Sequence, residues 1–349
     1  MGGREMVGIR RFRTLIFGAL AVGLAACGSA AASSSSSNAS SGSTTTEAQT
    51  AKSLFPHGIT LLVGFGTGGA VDTGARLIQP YLQKQLGVPV VVQNMVGGGG
   101  NTAAQYEYNQ PSTSSDLLMA FLPALDLGQV MGKGQYDVRK FSPIYGLYGN
   151  NTVVIISKKG SPYKDLASLK SSSQKITAGV AGVGTASTWM AIGFLDELNH
   201  ANIQPVPYSG GSAASAAAIG GSIDITATTA VEAKRLIASG QAQGIVQFAP
   251  HAYSFLPGVP SIATVGNPNE AFESIMGIVG PPKMPQAAVT LLSNALAQAA
   301  KSSQLQTKAS NVGVSVVPQS LSEWKANMTK YYNLVENNAS LLNAFRNQK

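Results

Sequence analysis

The sequence predicts an α/β protein built from repeated strand–turn–helix units, with enough chain for two lobes of ordinary size. Three observations carry this. Short β-branched apolar runs alternate with stretches whose apolar residues recur at helical spacing. Three of the strand-to-helix joints are rich in glycine. Residues 53–349 are long enough to bury more than one core.

Taken in order, a first strand covers residues 59–63 and ends in glycines. Val71, Ala75, Ile78 and Leu82 then mark one helical face, closed by Gly87 and Pro89. Strands follow at 88–92, 116–121 and 152–156. A strand at 176–180 leads through a glycine turn into a helix with Met190, Phe194 and Leu198 on one side. Further strands are expected at 203–206, 223–226, 244–248 and 275–279. One late helix starts at Pro285, a residue suited to a first helical position. Another starts at Ser320, where Ser320 and Glu323 fit a capping box and Trp324, Met328, Tyr331 and Val335 form the buried face. No internal repeat is visible.

The front end reads as a lipoprotein signal peptide over residues 1–26. Arg4, Arg10, Arg11 and Arg13 precede an apolar core at 15–24, too short to span a bilayer as a mature helix. Ala25 and Ala26 place small residues before Cys27, the only cysteine, as lipoprotein signal peptidase requires. Cys27 is therefore the expected lipid attachment site, with the mature protein anchored on the extracytoplasmic face of the cell membrane. A lone cysteine excludes an intramolecular disulfide. The Ser-rich stretch from there to residue 52 is expected to be a flexible tether, because it has little apolar surface to bury.

Net charge is +8, but four of the 24 basic residues lie in the leader. Charged residues make up 11% of the chain, against roughly 25% in ordinary globular domains. The positive residues are scattered, with no run longer than Lys158-Lys159 in the mature part, so nucleic acid is not an expected partner.

The glycine joints carry the functional argument. The first runs from Gly64 through Phe65, Gly66, Thr67, Gly68 and Gly69 to Asp72. Glycines let backbone approach a ligand, and a helix N-terminus offers unpaired N–H groups and partial positive charge, a place for an anion. Asp72 falls in the first helical turn, where its default role is to bond backbone N–H groups and hold the loop. A second joint holds Gly97, Gly98, Gly99, Gly100 and Asn101, and a third holds Gly182, Val183, Gly184, Thr185, Ala186 and Ser187. In parallel α/β folds such turns gather at the carboxyl edge of the sheet, where ligands bind. Gly64, Gly66 and Gly69 also satisfy the dinucleotide pattern G-x-G-x-x-G. A nicotinamide-dependent oxidoreductase would need a ribose-binding acid after the second strand, and Gln93, Asn94 and Met95 stand there instead.

With these joints in place, the chain resembles the substrate receptors of tripartite tricarboxylate transporters, the Bug receptors. Val63, Phe65, Gly68, Gly69 and Asp72 match the family's V-P-F-x-x-G-G-x-x-D loop. Val92, Asn94, Gly97, Gly99, Gly100 and Asn101 match its V-E-N-R-x-G-A-G-G-N loop. Gly182, Gly184 and Thr185 match G-x-G-T, Val206 to Gly210 match V-P-Y-x-G, and Gly220, Gly221 and Asp224 match G-G-x-V-D. Leu256, Pro257, Val259 and Pro260 match L-P-x-V-P.

The resemblance implies a two-lobed clamp of the periplasmic-binding-protein (Venus flytrap) kind, each lobe a mostly parallel sheet flanked by helices. Lobe 1 would hold residues 53–151 plus 270–349, and lobe 2 residues 152–269. It implies a monomer that binds a small organic acid, hands it to membrane permease subunits and performs no chemistry, without cofactor or metal. The carboxylate would meet backbone N–H groups of the first loop and of the G-x-G-T turn, with Thr188, Tyr208 and Thr228 facing the cleft beside them. Five positions depart from the family. Gly64 replaces the loop proline, Gln93 and Met95 replace Glu and Arg, and Thr188 and Thr228 stand where many members have His and Asp. A receptor of the same fold serving an ABC transporter or a sensor is the other reading in this class.

Signals for catalysis are missing. His57, His200 and His251 lie away from any G-x-S-x-G elbow, and no Cys/His cluster has metal-ligand spacing. Asp116 and Asp224 are expected to be structural.

Overall fold

The computed structural model describes residues 41–132, 134–182, 184, 186–199, 202–312 and 314–347. The leader, Cys27, the tether up to residue 40, Val183, Thr185 and His200 lie outside them.

In chain order, the first group of elements is α1 (Ser41–Leu54), β1 (Ile59–Val63), α2 (Ala70–Leu86), β2 (Val90–Asn94), α3 (Asn101–Tyr108), β3 (Asp116–Leu122), α4 (Ala124–Val130) and β4 (Ser142–Asn151). A second group follows: β5 (Val153–Lys158), α5 (Leu166–Lys170), β6 (Ile176–Val180), α6 (Ser187–Asn199), β7 (Ile203–Pro207), α7 (Gly211–Gly220), β8 (Ile225–Thr229), α8 (Ala230–Ala238) and β9 (Ala242–Gln247). The chain closes with β10 (Ser274–Gly280), α9 (Gln286–Ala300), α10 (Ser303–Asn311), β11 (Ser315–Gln319), α11 (Leu321–Asn337) and α12 (Ala339–Asn347).

These strands build two sheets, ordered β11-β4-β10-β3-β1-β2 and β7-β6-β8-β5-β9. The architecture is the expected two-sheet α/β fold: in each sheet four strands run one way, with β10 and β11 opposed in the first and β5 opposed in the second. Only β1 with β2 and β3, and β6 with β7 and β8, pair in parallel. Those are the strand–helix–strand units that the sequence pattern reveals. The other pairings involve β4, β5, β9, β10 and β11, and all are antiparallel. β4 and β9 end where the chain leaves one sheet for the other, and β5 and β10 begin where it arrives. β4 and β9 still follow helices α4 and α8 and run in the same direction as β3 and β8, so it is the arriving strands β5 and β10 that enter each sheet against the others.

The chain crosses between sheets twice. Thr152 alone separates β4 from β5, and residues 248–273 carry the chain from β9 back to β10. At the end of the chain, α11 packs on β4, whereas α12 packs on α6 of the second group. Trp189 and Phe345 place their rings 5.5 Å apart there. The last helix thus reaches the second sheet's layer, while Arg346 Nη1 donates to Met131 O at 3.1 Å beside α4.

One further correction concerns the tether. Residues 41–54 form α1, with Ala51 fully buried and Phe55 closing the turn at 1% exposure. Ala48, Ala51 and Phe55 lie at helical spacing toward α2 and α9. The surrounding Ser and Thr hide that stripe in the sequence. Asp116 and Asp224 are structural as expected: Asp224 accepts from Thr177 N and Oγ1 at 2.8 and 2.7 Å, and Asp116 accepts from Tyr106 at 3.0 Å. Pro285 is the N-cap of α9 and not its first helical residue.

Candidate functional site

A cleft of about 670 Å³ opens where the two sheets meet. The β1–α2 joint forms part of its wall, and Phe65, Gly66, Thr67, Gly68 and Gly69 all line it. Gly99 of the second joint lies beside them. From the second sheet come Ala186, Ser187, Thr188, Tyr208 and Thr228. The chain crossover contributes Asn151 and Thr152. A smaller recess of about 260 Å³ shares Gly68, Gly69, Ala70, Gly211 and Ser212 with the cleft.

Three sequence candidates stand off this wall. Asp72 is 2% exposed and spends its carboxylate on the loop. Gly68 N–H donates to Asp72 Oδ2 at 2.9 Å, Asn94 Nδ2 donates to Oδ1 at 2.9 Å, and Arg76 Nε lies 3.0 Å from both oxygens. Asn94 Nδ2 also reaches Phe65 O at 2.9 Å, so one network ties β2, the first loop and α2 together. Burial pushes the Asp72 carboxyl up, but Arg76, the Gly68 N–H and Asn94 together hold it below the ordinary range. Asn101 turns into the core, where Tyr136 donates to its Oδ1 at 2.7 Å. Gly184 is buried and does not line the cleft. Thr185 lies outside the described residues.

Gly68 sits at φ +79°, and a side chain there would meet nothing within 4 Å. The loop needs glycine for its backbone conformation while the space above it stays open. Gly64, the departure from the family's proline, has a different reason. A Cβ at Gly64 would stand 2.7 Å from Gly100 Cα, so the first and second joints are packed backbone to backbone.

Two helices that open on the cleft, α2 and α7, lack the side-chain cap that Thr229 gives α8 beside them. α5 and α11 carry capping boxes, and Ser302 caps α10. α2 and α7 begin at Gly69 and Gly210, neither of which has a side chain to cap with. Their N-terminal N–H groups are left to the cleft. Among the described residues, no Lys, Arg, His, Asp or Glu lines this cleft. Thr188 Oγ1 accepts from Ala181 N–H at 3.1 Å, and Thr228 Oγ1 from Ser215 at 3.1 Å. Ser187 of α6 and Ser274 of β10 meet at 3.4 Å between the two sheets.

Sequence reasoning missed Val96, Phe121, Asn151, Thr152, Gly211 and Ser212 on the wall. Gly210, Gly211 and Ser212 follow β7 and open α7, the same strand–glycine–helix grammar as the other joints. Phe121 near the end of β3 lies on the carboxyl edge and could have been found by that rule.

Two mixed α/β layers joined by two crossing segments, with an uncharged cleft between them, define a bilobal solute-binding protein. A family model described as the tripartite tricarboxylate transporter family receptor matches residues 74–333, and the chain belongs to that family. It is an exported solute receptor. A UPF0065 protein of Agrobacterium vitis, from the TAR-I ttuE-ttuC' intergenic region, is 26% identical over 300 residues, 84% of this chain and 86% of that one. The solved structure of MatC from Rhodopseudomonas palustris with bound malate matches with TM-score 0.72 and 25% identity, covering 81% of this chain and 98% of that one. The R. palustris protein Rpa4515 with adipate shares the fold, with TM-score 0.70, 21% identity and coverage of 82% and 97%. Among the described residues, no helix is long and apolar enough to cross a membrane.

Proposed function

We propose that this receptor captures a small organic acid in the cleft and delivers it to a membrane permease of the tripartite tricarboxylate type. Residues 53–151 plus 270–349 and residues 152–269 act as two lobes that close on the ligand, with α12 strapped to the second. The observation that carries this reading is the pair of glycine-capped helices, α2 and α7, opening on one uncharged cleft. A carboxylate there is neutralised by helix N-termini and not by a side chain. The malate held by the similar R. palustris receptor supports the same ligand class. Phe65, Gly66, Thr67, Gly68, Gly69 and Gly99 form the ligand's seat in lobe 1. Thr185, Ala186, Ser187, Thr188, Tyr208 and Thr228 close on it from lobe 2, with Gly184 buried behind them as part of the turn. Asp72 and Asn101 act at one remove, through the loops that they hold. Cys27 carries the lipid that keeps a monomeric receptor near its permease.

A thermal-shift panel of mono-, di-, tri- and aromatic carboxylates tests the reading, because a ligand bound only by the folded state raises Tm by mass action. At least one acid should give a saturable shift. No shift across the panel, in protein shown free of carried-over solute, would sink the carboxylate assignment.

A further inference from the structure

We infer that the solute is a monocarboxylate with a flat apolar body, an aromatic acid, whose ring lies on the Phe65–Phe121 wall and whose far end is uncharged. The inference rests on the carboxylate reading and narrows it.

The cleft has a polarity. N-terminal residues of α2 and α7 line the main cleft and also the recess beside it, so the two helix ends face one another across one space. They provide one anion locus. Of the acids beside it, Asp72 is spent on Gly68, Asn94 and Arg76, and Glu232, which lines the recess, is paired with Arg235 at 2.7 Å. Phe65, Phe121, Val96 and Ala124 line the main cleft and not the recess. Phe65 and Phe121 meet edge to face, with ring centroids 5.7 Å apart and planes at 89°. Both are half-buried, and Val96 is 65% exposed. An edge-to-face pair leaves a ring face and a ring edge for a third aromatic group, and covering such surface is favourable in itself.

The opposite wall argues against a second charge. It presents Ser187, Thr188, Ser209, Ser212, Thr228 and Thr229, all neutral hydroxyls. Thr188 and Thr228 already accept hydrogen bonds from Ala181 and Ser215, and Thr229 caps α8 by accepting from Glu232 N–H. A second carboxylate closed in against this wall would exchange its hydration for neutral hydroxyls and the single start of α6 at Ser187, against two helix ends at the other locus. A neutral ring substituent, or none, suits the same groups.

Titration calorimetry on the whole mature chain, stripped of carried-over solute, decides the matter with benzoate, benzamide and adipate as probes. Benzoate should bind at least tenfold more tightly than adipate, and benzamide should not bind. Phe121→Leu should weaken benzoate about three- to tenfold and change adipate less than twofold. Phe65→Leu should weaken benzoate likewise and serves if the first variant does not fold. Adipate binding as tightly as benzoate, or more tightly, would overturn the aromatic assignment and leave the receptor reading intact. Benzoate affinity unchanged in the Leu variant would overturn the assigned wall. If no acid binds at all, the carboxylate reading fails together with the inference.

Discussion

Thr152 Oγ1 donates a hydrogen bond to Phe272 O at 3.2 Å, which fastens one interlobe crossing to the other. The bond has close neighbours. Phe272 N–H donates to Phe248 O at 2.6 Å, and Phe248 N–H donates to Val153 O at 2.8 Å. The two crossing segments are therefore tied to each other beside the cleft, which Asn151 and Thr152 of the first help to line.

Thr152→Val should lower stability by about 1–3 kcal/mol, since it removes a buried donor and leaves the Phe272 carbonyl short of a partner. Thr152→Ser keeps the hydroxyl and should lose less. Urea denaturation of both variants checks this, and equal midpoints for Val and wild type would contradict the bond's importance.

Gly68→Val should abolish ligand binding while the protein still folds. The left-handed backbone costs a valine about 1–2 kcal/mol, and nothing within 4 Å collides with its Cβ. Circular dichroism should match wild type while calorimetry shows no heat of binding. Full affinity in this variant would make the first loop a turn and nothing more.

Gly64→Ala should destabilise the protein by about 1–3 kcal/mol, because its Cβ meets the Gly100 backbone and neither loop has a flexible side chain to yield. Gly64→Pro, which restores the residue common in the family, should behave in the same way here. A thermal midpoint equal to wild type in either variant would show that the two loops can separate freely.

Glu107→Gln should flatten the pH dependence of stability. Burial, reinforced by Asp116, lifts the Glu107 carboxyl from 4.5 to about 9. Between those values the folded chain keeps a proton that the unfolded chain releases, so this residue's contribution is full below pH 4.5 and declines as pH rises toward 9. The variant should match wild type at pH 4 and exceed it at pH 8, as read from urea midpoints. A variant less stable than wild type at pH 8 would contradict this sign.

The sequence carried much of the fold and part of the site. Strand–glycine–helix joints are local, so β1–α2, β2–α3 and β6–α6 could be read from spacing. β4 could not, because Pro143, Gly146 and Gly149 make it read as a loop. Its glycines make room for distant partners: a Cβ at Gly146 would stand 2.5 Å from Gln319 Oε1, and one at Gly149 would stand 3.2 Å from Val317 Cβ. In the same way Gly277 of β10 lies under Trp324, whose ring would be 2.6 Å from an added Cβ. A strand that keeps its place by packing against residues far along the chain has no local signature.

The sequence by itself determined the α/β class, the family and the glycine joints that line the cleft, because backbone conformation at a turn depends on the residue that occupies it. The tertiary structure alone decided that Asp72 and Asn101 serve the loops and not the cleft wall, that Phe65 meets Phe121, and that α12 belongs with α6. Each of these is a choice of partner between segments tens to hundreds of residues apart, and burial, not local propensity, selects partners at that distance.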